Sequence, residues 1–199
     1  GPQTGGNMGN EYVHMHRLID MVTGQWGDDV TPTFAGTFID RTYTMTIPTD
    51  HNGVPIKIED LELVVFMAEG NEEIISGNGA FPTYSNFEFQ NDATAKAIQE
   101  IPAQCGYDVA PVVEVQNTGE NDITSLSIEY SINGGATETY NWSGNITSLQ
   151  TEAIELPAIS YDVDLVNTVS VVIENDDDNS NNTITQTFDQ TLTYNNEIR

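Results

Sequence analysis

The sequence predicts an all-β chain: two immunoglobulin-like β-sandwich domains in tandem. Three observations predict it. Leu126, Ile128, Tyr130 and Ile132 alternate with Ser127, Glu129 and Ser131, the period of two that marks a strand with one buried and one wet face. Seven short segments of this kind follow Asn91-Asp92, with turns roughly every 8 to 12 residues, the spacing of an immunoglobulin-like sandwich. A length of 199 residues holds two such units, residues 1–91 and 92–199.

Residues 1–10 are rich in Gly and Asn and read as irregular. Glu11 to Val22 reads as a strand with Val13, Met15, Ile19 and Met21 on one face, or as a helix ending at Gly24. Thr23 to Asp28 is a turn in which two glycines flank Trp26. Thr37 to Ile47 alternates through Phe38, Tyr43, Met45 and Ile47, and Pro48 ends it. Asn52-Gly53 marks a turn. The apolar run in Leu61 to Glu69 predicts a central strand buried on both faces. Glu72 to Ala80 and Phe81 to Gln90 complete the first sandwich.

In the second half, Ala93 to Ile101 reads as the first strand, although its propensity also suits a short helix. Pro102 to Gly106 is the following bend. A strand through Val113 and Val115 stops at Asn117-Thr118-Gly119, and Ser125 to Asn133 runs back to a hairpin turn at Asn133-Gly134. Ala136 to Trp142, Glu152 to Pro157, Thr168 to Glu174 and Thr183 to Asp189 supply the remaining strands.

Composition narrows the function classes. Five Lys and Arg stand against 31 Asp and Glu, a net charge of −26. Such a surface repels phosphate backbones and anionic membranes, which excludes nucleic acid as a partner, and it favours solubility, cationic partners and divalent metals. Cys105 is the only cysteine, so no internal disulfide forms. No apolar run reaches the roughly 18 to 20 residues a membrane helix needs, so this chain does not insert into a bilayer. Gly1-Pro2 fits a protease scar, so the lack of a secretory signal says nothing about compartment.

The second half resembles the bacterial cell-adhesion-related (CARDB-like) domain of type IX-secreted and outer-membrane proteins. The resemblance rests on Cys105, Pro111 to Gly119, Ser125 to Asn133, Tyr140 to Gly144, Glu155 to Pro157 and Asn181 to Thr183. The first half is similar to the C-terminal sandwich of the twenty-eight-kilodalton outer-membrane protein family through Tyr12 to Leu18, Thr23 to Asp28, Leu63 to Gly70 and Glu73 to Ile75. That family carries a thioredoxin-like domain upstream, to which no Cys-x-x-Cys corresponds here. The resemblance implies a chain that starts inside its first sandwich. It also implies an extracellular or outer-membrane location and no settled activity.

The sharpest chemical candidate is the acidic loop Glu174 to Asn182. Asp176, Asp178 and Ser180 fall at alternate positions, the oxygen-ligand spacing that calcium prefers, although the central Gly and final Glu of an EF-hand are missing. The same composition also makes an ordinary solvated turn. His14 and His16 share a face of a strand, as zinc or copper would need, but no further ligand motif accompanies them. Cys105 has no histidine near it in sequence and reads as a buried small residue or half of a lost bridge. Trp26, Tyr140 and Trp142 read as core anchors or as a sugar-binding face. No nucleophile with a base is recognisable.

These features predict a non-catalytic extracellular or cell-surface module for adhesion, protein interaction or spacing, meeting a protein or glycan as a monomer or weak dimer. The alternatives are an accessory region of a secreted enzyme or thioredoxin-like protein, and a calcium-ordered binding module.

Overall fold

The structure is a computed structural model of the chain and describes residues 17–70, 73–174 and 176–191. Contacts divide the chain into two units, Gly1–Pro82 and Thr83–Arg199. The expected join at Asn91-Asp92 lies inside the second unit. The Glu120 and Asn121 N–H groups donate to the Phe89 and Gln90 carbonyls at 3.1 and 2.9 Å, so 89–91 are held by the second unit's own loops.

Among the described residues the first unit contains two hairpins. In the smaller, β1 (Asp50–His51) pairs with β2 (Val54–Pro55) across Asn52-Gly53. Both turn residues have positive φ, 55° and 75°, as a two-residue primed turn requires. The Gly53 N–H donates to Asp50 Oδ1 at 2.9 Å. One 3-10 turn follows at Ile58–Asp60. In the larger hairpin, β3 (Leu63–Glu69) pairs with β4 (Glu73–Ala80), with a bulge at Met67/Ala68.

Three expectations are corrected here. β3 is not a central strand: it pairs with β4 alone, and every residue of both strands is exposed. Apolar β-formers made the strand, but among the described residues no second layer covers it. Thr37 to Ile47 forms no strand despite its alternation, because among the described residues it pairs with no strand edge, and Phe38 and Tyr43 stay exposed. Phe81 to Gln90 is likewise an irregular lead-in and no strand. No described residue of the first unit is buried, so its described part is hairpins without a sandwich core. The strand or helix expected at Glu11 to Val22 falls largely outside the described residues, and Arg17 to Val22 is irregular.

The second unit is a two-sheet β-sandwich. Its strands are β5 (Ala93–Ile98), β6 (Asp108–Val109), β7 (Val112–Asn117), β8 (Ile123–Ile132), β9 (Glu138–Ile146), β10 (Thr151–Glu155), β11 (Ile159–Ser160), β12 (Val166–Ile173) and β13 (Thr183–Asp189). One sheet runs β10-β7-β5 and the other β13-β12-β8-β9, all antiparallel, with β6 and β11 as a short extra pair. The seven long strands are the seven that the sequence predicts, and the chain is all-β as expected.

The core lies between the sheets. Val113 and Val115 of β7 face Ile128 and Tyr130 of β8 and Val169 and Val171 of β12. Burying each aliphatic side chain contributes about 1.5 to 3 kcal/mol. Asn133-Gly134 turns β8 into β9 with φ of 53° and 67°, again the primed geometry. Ala93 and Ala95 of β5 point inward, and a bulge between Ala95 and Ala97 puts Lys96 in solvent. No helix of the described residues is long and apolar enough to cross a membrane.

Candidate functional site

Three connections meet at one end of the sandwich. They are residues 89–92 before β5, 118–122 between β7 and β8, and 174–182 between β12 and β13. Asn117, 0% exposed at the end of β7, organises the second of these. Its Nδ2 donates to the Asn121 and Ile146 carbonyls at 2.9 and 2.8 Å, and its Oδ1 accepts from the Gly119 N–H at 3.0 Å. Gly119 packs so closely that an added Cβ would lie 2.7 Å from the Asp92 nitrogen.

The acidic loop folds back over the start of β5. Asp177 Oδ2 accepts from the Gln90 and Asn91 N–H groups at 3.1 and 2.8 Å, and the Asp177 N–H donates to the Asn91 carbonyl at 3.0 Å. Asp176 Oδ2 accepts from the Ala93 N–H at 2.7 Å. These carboxylates satisfy backbone donors that lead into and begin β5. Asp178 turns the other way. Its Oδ1 accepts from the Ser180 N–H at 3.0 Å and the Ser180 hydroxyl at 2.7 Å. Those two bonds, the hydroxyl first, hold the Asp178 carboxyl below the usual carboxylate range.

Asp92 is the buried acid of this end, 3% exposed. It accepts from the Thr118 hydroxyl at 2.6 Å and from Asn181 Nδ2 at 3.0 and 3.3 Å. The same Asn181 nitrogen lies 3.4 Å from Asp178 Oδ2. Asn182, 4% exposed, sits inside the loop. Its Nδ2 meets the Glu174 carbonyl at 3.1 Å, Asp176 Oδ1 at 3.3 Å and Asn179 Oδ1 at 3.4 Å. The Oδ1 atoms of Asn181 and Asn182 are buried without a hydrogen-bond partner.

Asp176, Asp178 and Ser180 thus share one loop but play different parts. Asp176 anchors β5, Ser180 orients Asp178, and Asp178 faces the Asp92–Asn181 pair. Sequence reasoning missed Asp92, because only the tertiary fold brings it to a loop more than 80 residues away. Among the described residues no three His, Cys, Asp or Glu side chains gather as a metal donor set.

The remaining candidates are dispersed. His14 and His16 lie outside the described residues. His51 sits in the β1–β2 hairpin, 3.3 Å from Asn52 Nδ2. Cys105 is exposed, which overturns the buried alternative of the expectation and leaves the half of a lost bridge untested. Trp26 is 75% exposed and anchors no core, whereas Tyr140 and Trp142 are half-buried against the β-sandwich core. An open groove at the far end of β5 is lined by Ile98, Glu100, Pro102 and Phe188 among others. It offers carboxylates but no nucleophile with a base.

No family model matches the chain, and no curated protein matches it. Among solved structures it is similar to a domain from Methanosarcina acetivorans described as part of a cell surface protein. That match has 15% identity and a TM-score of 0.44, covering 54% of this chain and 98% of that one. It is also similar to the CARDB domain of a Pyrococcus furiosus protein in complex with di-metal ions. There the identity is 16% and the TM-score 0.41, covering 55% of this chain and 95% of that one. The β-sandwich itself rests on the strand order and core described above.

Proposed function

We propose that this chain is a non-catalytic extracellular or cell-surface module for adhesion, protein interaction or spacing within a larger protein. The observation that carries this reading is how the second unit uses its buried polar side chains. Asn117 and Asn167 are each fully buried, and both tie loop backbone. Asn167 Oδ1 accepts from Asn133 Nδ2 and the Asp164 N–H, while its Nδ2 returns to the Asp164 carbonyl. Both ends of the sandwich are therefore fastened by amides that act on backbone and not on a substrate. A fastened sandwich with a charge of −26 suits a solvated module holding neighbours apart or meeting a cationic protein surface.

The test uses the protein in its own cells. An antibody raised against this chain should label intact cells as strongly as permeabilised ones. Labelling that needs permeabilisation overturns the surface reading. Purified chain should also leave ester, peptide and glycoside reporter substrates unchanged. Turnover that co-purifies with the chain and disappears with a point substitution would make it an enzyme.

A further inference from the structure

The two main sheets of the second unit end in the edge strands β5, β10, β9 and β13, and the unit treats them differently. On one side β5 and β13 close on each other. The Ala95 N–H donates to the Asn181 carbonyl at 3.0 Å, and the Gln104 N–H donates to the Asp189 carbonyl at 2.9 Å. β10 is short and carries Glu152 and Glu155, with Pro157 just beyond, and such charges and prolines keep an edge from pairing. β9 has none of these from Thr139 to Ser143. It ends its sheet and pairs with β8 alone, in regular register from Glu138 to Ser143. Its outer edge has no backbone partner among the described residues.

The side chains of this stretch alternate between two faces. Tyr140 and Trp142 pack against the core, whereas Thr139, Asn141 and Ser143 lie on the other face and are exposed. In chain order, Thr139 to Ser143 reads hydroxyl, aromatic, amide, aromatic, hydroxyl, the same in both directions. An isologous contact needs that kind of palindrome, because a two-fold axis sets residue i opposite j and j opposite i. With the axis at Asn141, antiparallel pairing sets Thr139 opposite Ser143, Tyr140 opposite Trp142, and Asn141 opposite its own copy. Hydroxyl pairs and aromatic pairs are both favourable across antiparallel strands. The same register keeps the two Glu138 side chains apart, because each comes opposite Gly144. The stretch is uncharged in a molecule of net charge −26, so two copies meet there without setting carboxylate against carboxylate.

We propose that β9 is a homodimer interface, along which a second copy of this chain lays its own β9 antiparallel over Thr139 to Ser143. Two four-stranded sheets then join into one continuous sheet. The register shift that follows Ser143 in the β8–β9 pair ends the contact, so it is short, and the dimer is weak and concentration-dependent. The partner is the chain itself, and the contact stands whether or not the module sits at a cell surface.

The test is sedimentation velocity of the whole chain over a concentration series, in low and in high sodium chloride. A monomer–dimer equilibrium that strengthens with salt is expected, because salt screens the repulsion between two acidic bodies and the interface has no ion pair to lose. A chain that stays monomeric throughout overturns the proposal, as does a dimer that weakens in salt or a species larger than a dimer. Charge placed on the axis tests the register. Asn141→Glu and Asn141→Lys each set like charges against each other and should each be monomeric. Their thermal melts should match the parent's, because Asn141 is exposed. An equimolar mixture of the two variants should associate at least as tightly as the parent. Single variants that dimerise like the parent would place the contact elsewhere, such as on the exposed β3–β4 hairpin, and refute β9. A mixture that stays monomeric refutes the axis at Asn141.

Discussion

Asn117 makes three hydrogen bonds with one side chain, and its removal should be felt at all three. Asn117→Ala leaves the Gly119 N–H and the Ile146 carbonyl without this partner in a buried place, and the Asn121 carbonyl in a half-buried one. At about 1 kcal/mol for each orphaned group, urea titration should show a loss of about 3 kcal/mol. Two tyrosines predict a response to alkali. Burial pushes the Tyr130 and Tyr161 phenols up, with Glu138 and Asp108 adding repulsion of the phenolate. Their hydroxyls donate to the Pro157 carbonyl and to Gln190 Oε1 at 3.0 and 2.9 Å. The unfolded chain ionises them near pH 10, earlier than the folded chain does. Their contribution is therefore complete below about pH 10 and is lost as pH rises towards the folded values. Denaturant titrations from pH 9 to 11 should show stability falling, and Tyr130→Phe should flatten part of that fall. None of these roles was legible in the sequence, because a lone Asn or Tyr shows its type but not the loops it will meet.

At the scale of elements, the acidic loop works as a staple on β5. Asp177→Ala frees the Gln90 and Asn91 N–H groups. These bonds are exposed, so the global cost should be about 0.5 to 1 kcal/mol. The local sign is faster amide exchange at Gln90 and Asn91 with little change in β8 or β12. Unchanged exchange there would mean that the staple carries no energy. The strands themselves were legible where two signals coincided. β8 announced itself by alternation and by Asn133-Gly134 at its end, and both survive as a buried face and a primed turn. Alternation alone misled at Thr37 to Ile47, because a period of two records only the capacity to bury one face. An uninterrupted apolar run misled at β3 for a related reason. Leu63 to Phe66 form a strand by local preference, but burial needs a second layer, which depends on the rest of the fold.

At the scale of the molecule, the two units differ in how their apolar surface is spent. The second unit encloses Val113, Ile128, Val169 and their neighbours, whereas the first exposes Val64, Phe66, Ile74 and Phe81. Limited digestion with a protease of broad specificity should therefore cut among residues 17–82 first and leave a resistant fragment beginning near Thr83. Equal cutting rates in both units would contradict the division. Length and strand spacing pointed to two units, and contacts divide the chain into two, of which the second is the β-sandwich. The placement of the join was not, because residues 89–91 look like a linker and become part of the second unit only through Glu120, Asn121 and Asp177.

The staple between Asp177 and the start of β5 also has a consequence for synthesis. Gln90 and the carboxylate that receives its N–H are 87 residues apart in the chain. A ribosome adding about 5 to 20 residues per second leaves them separated for roughly 4 to 17 seconds. Throughout that interval the nascent sandwich has its first strand but not the hairpin that locks it. β7 can pair with β5 early, yet one end of the sandwich stays open until β12 and β13 emerge. Closure is thus a late, nearly single event, and the vulnerable period for misassembly is set by translation speed more than by the finished protein's stability.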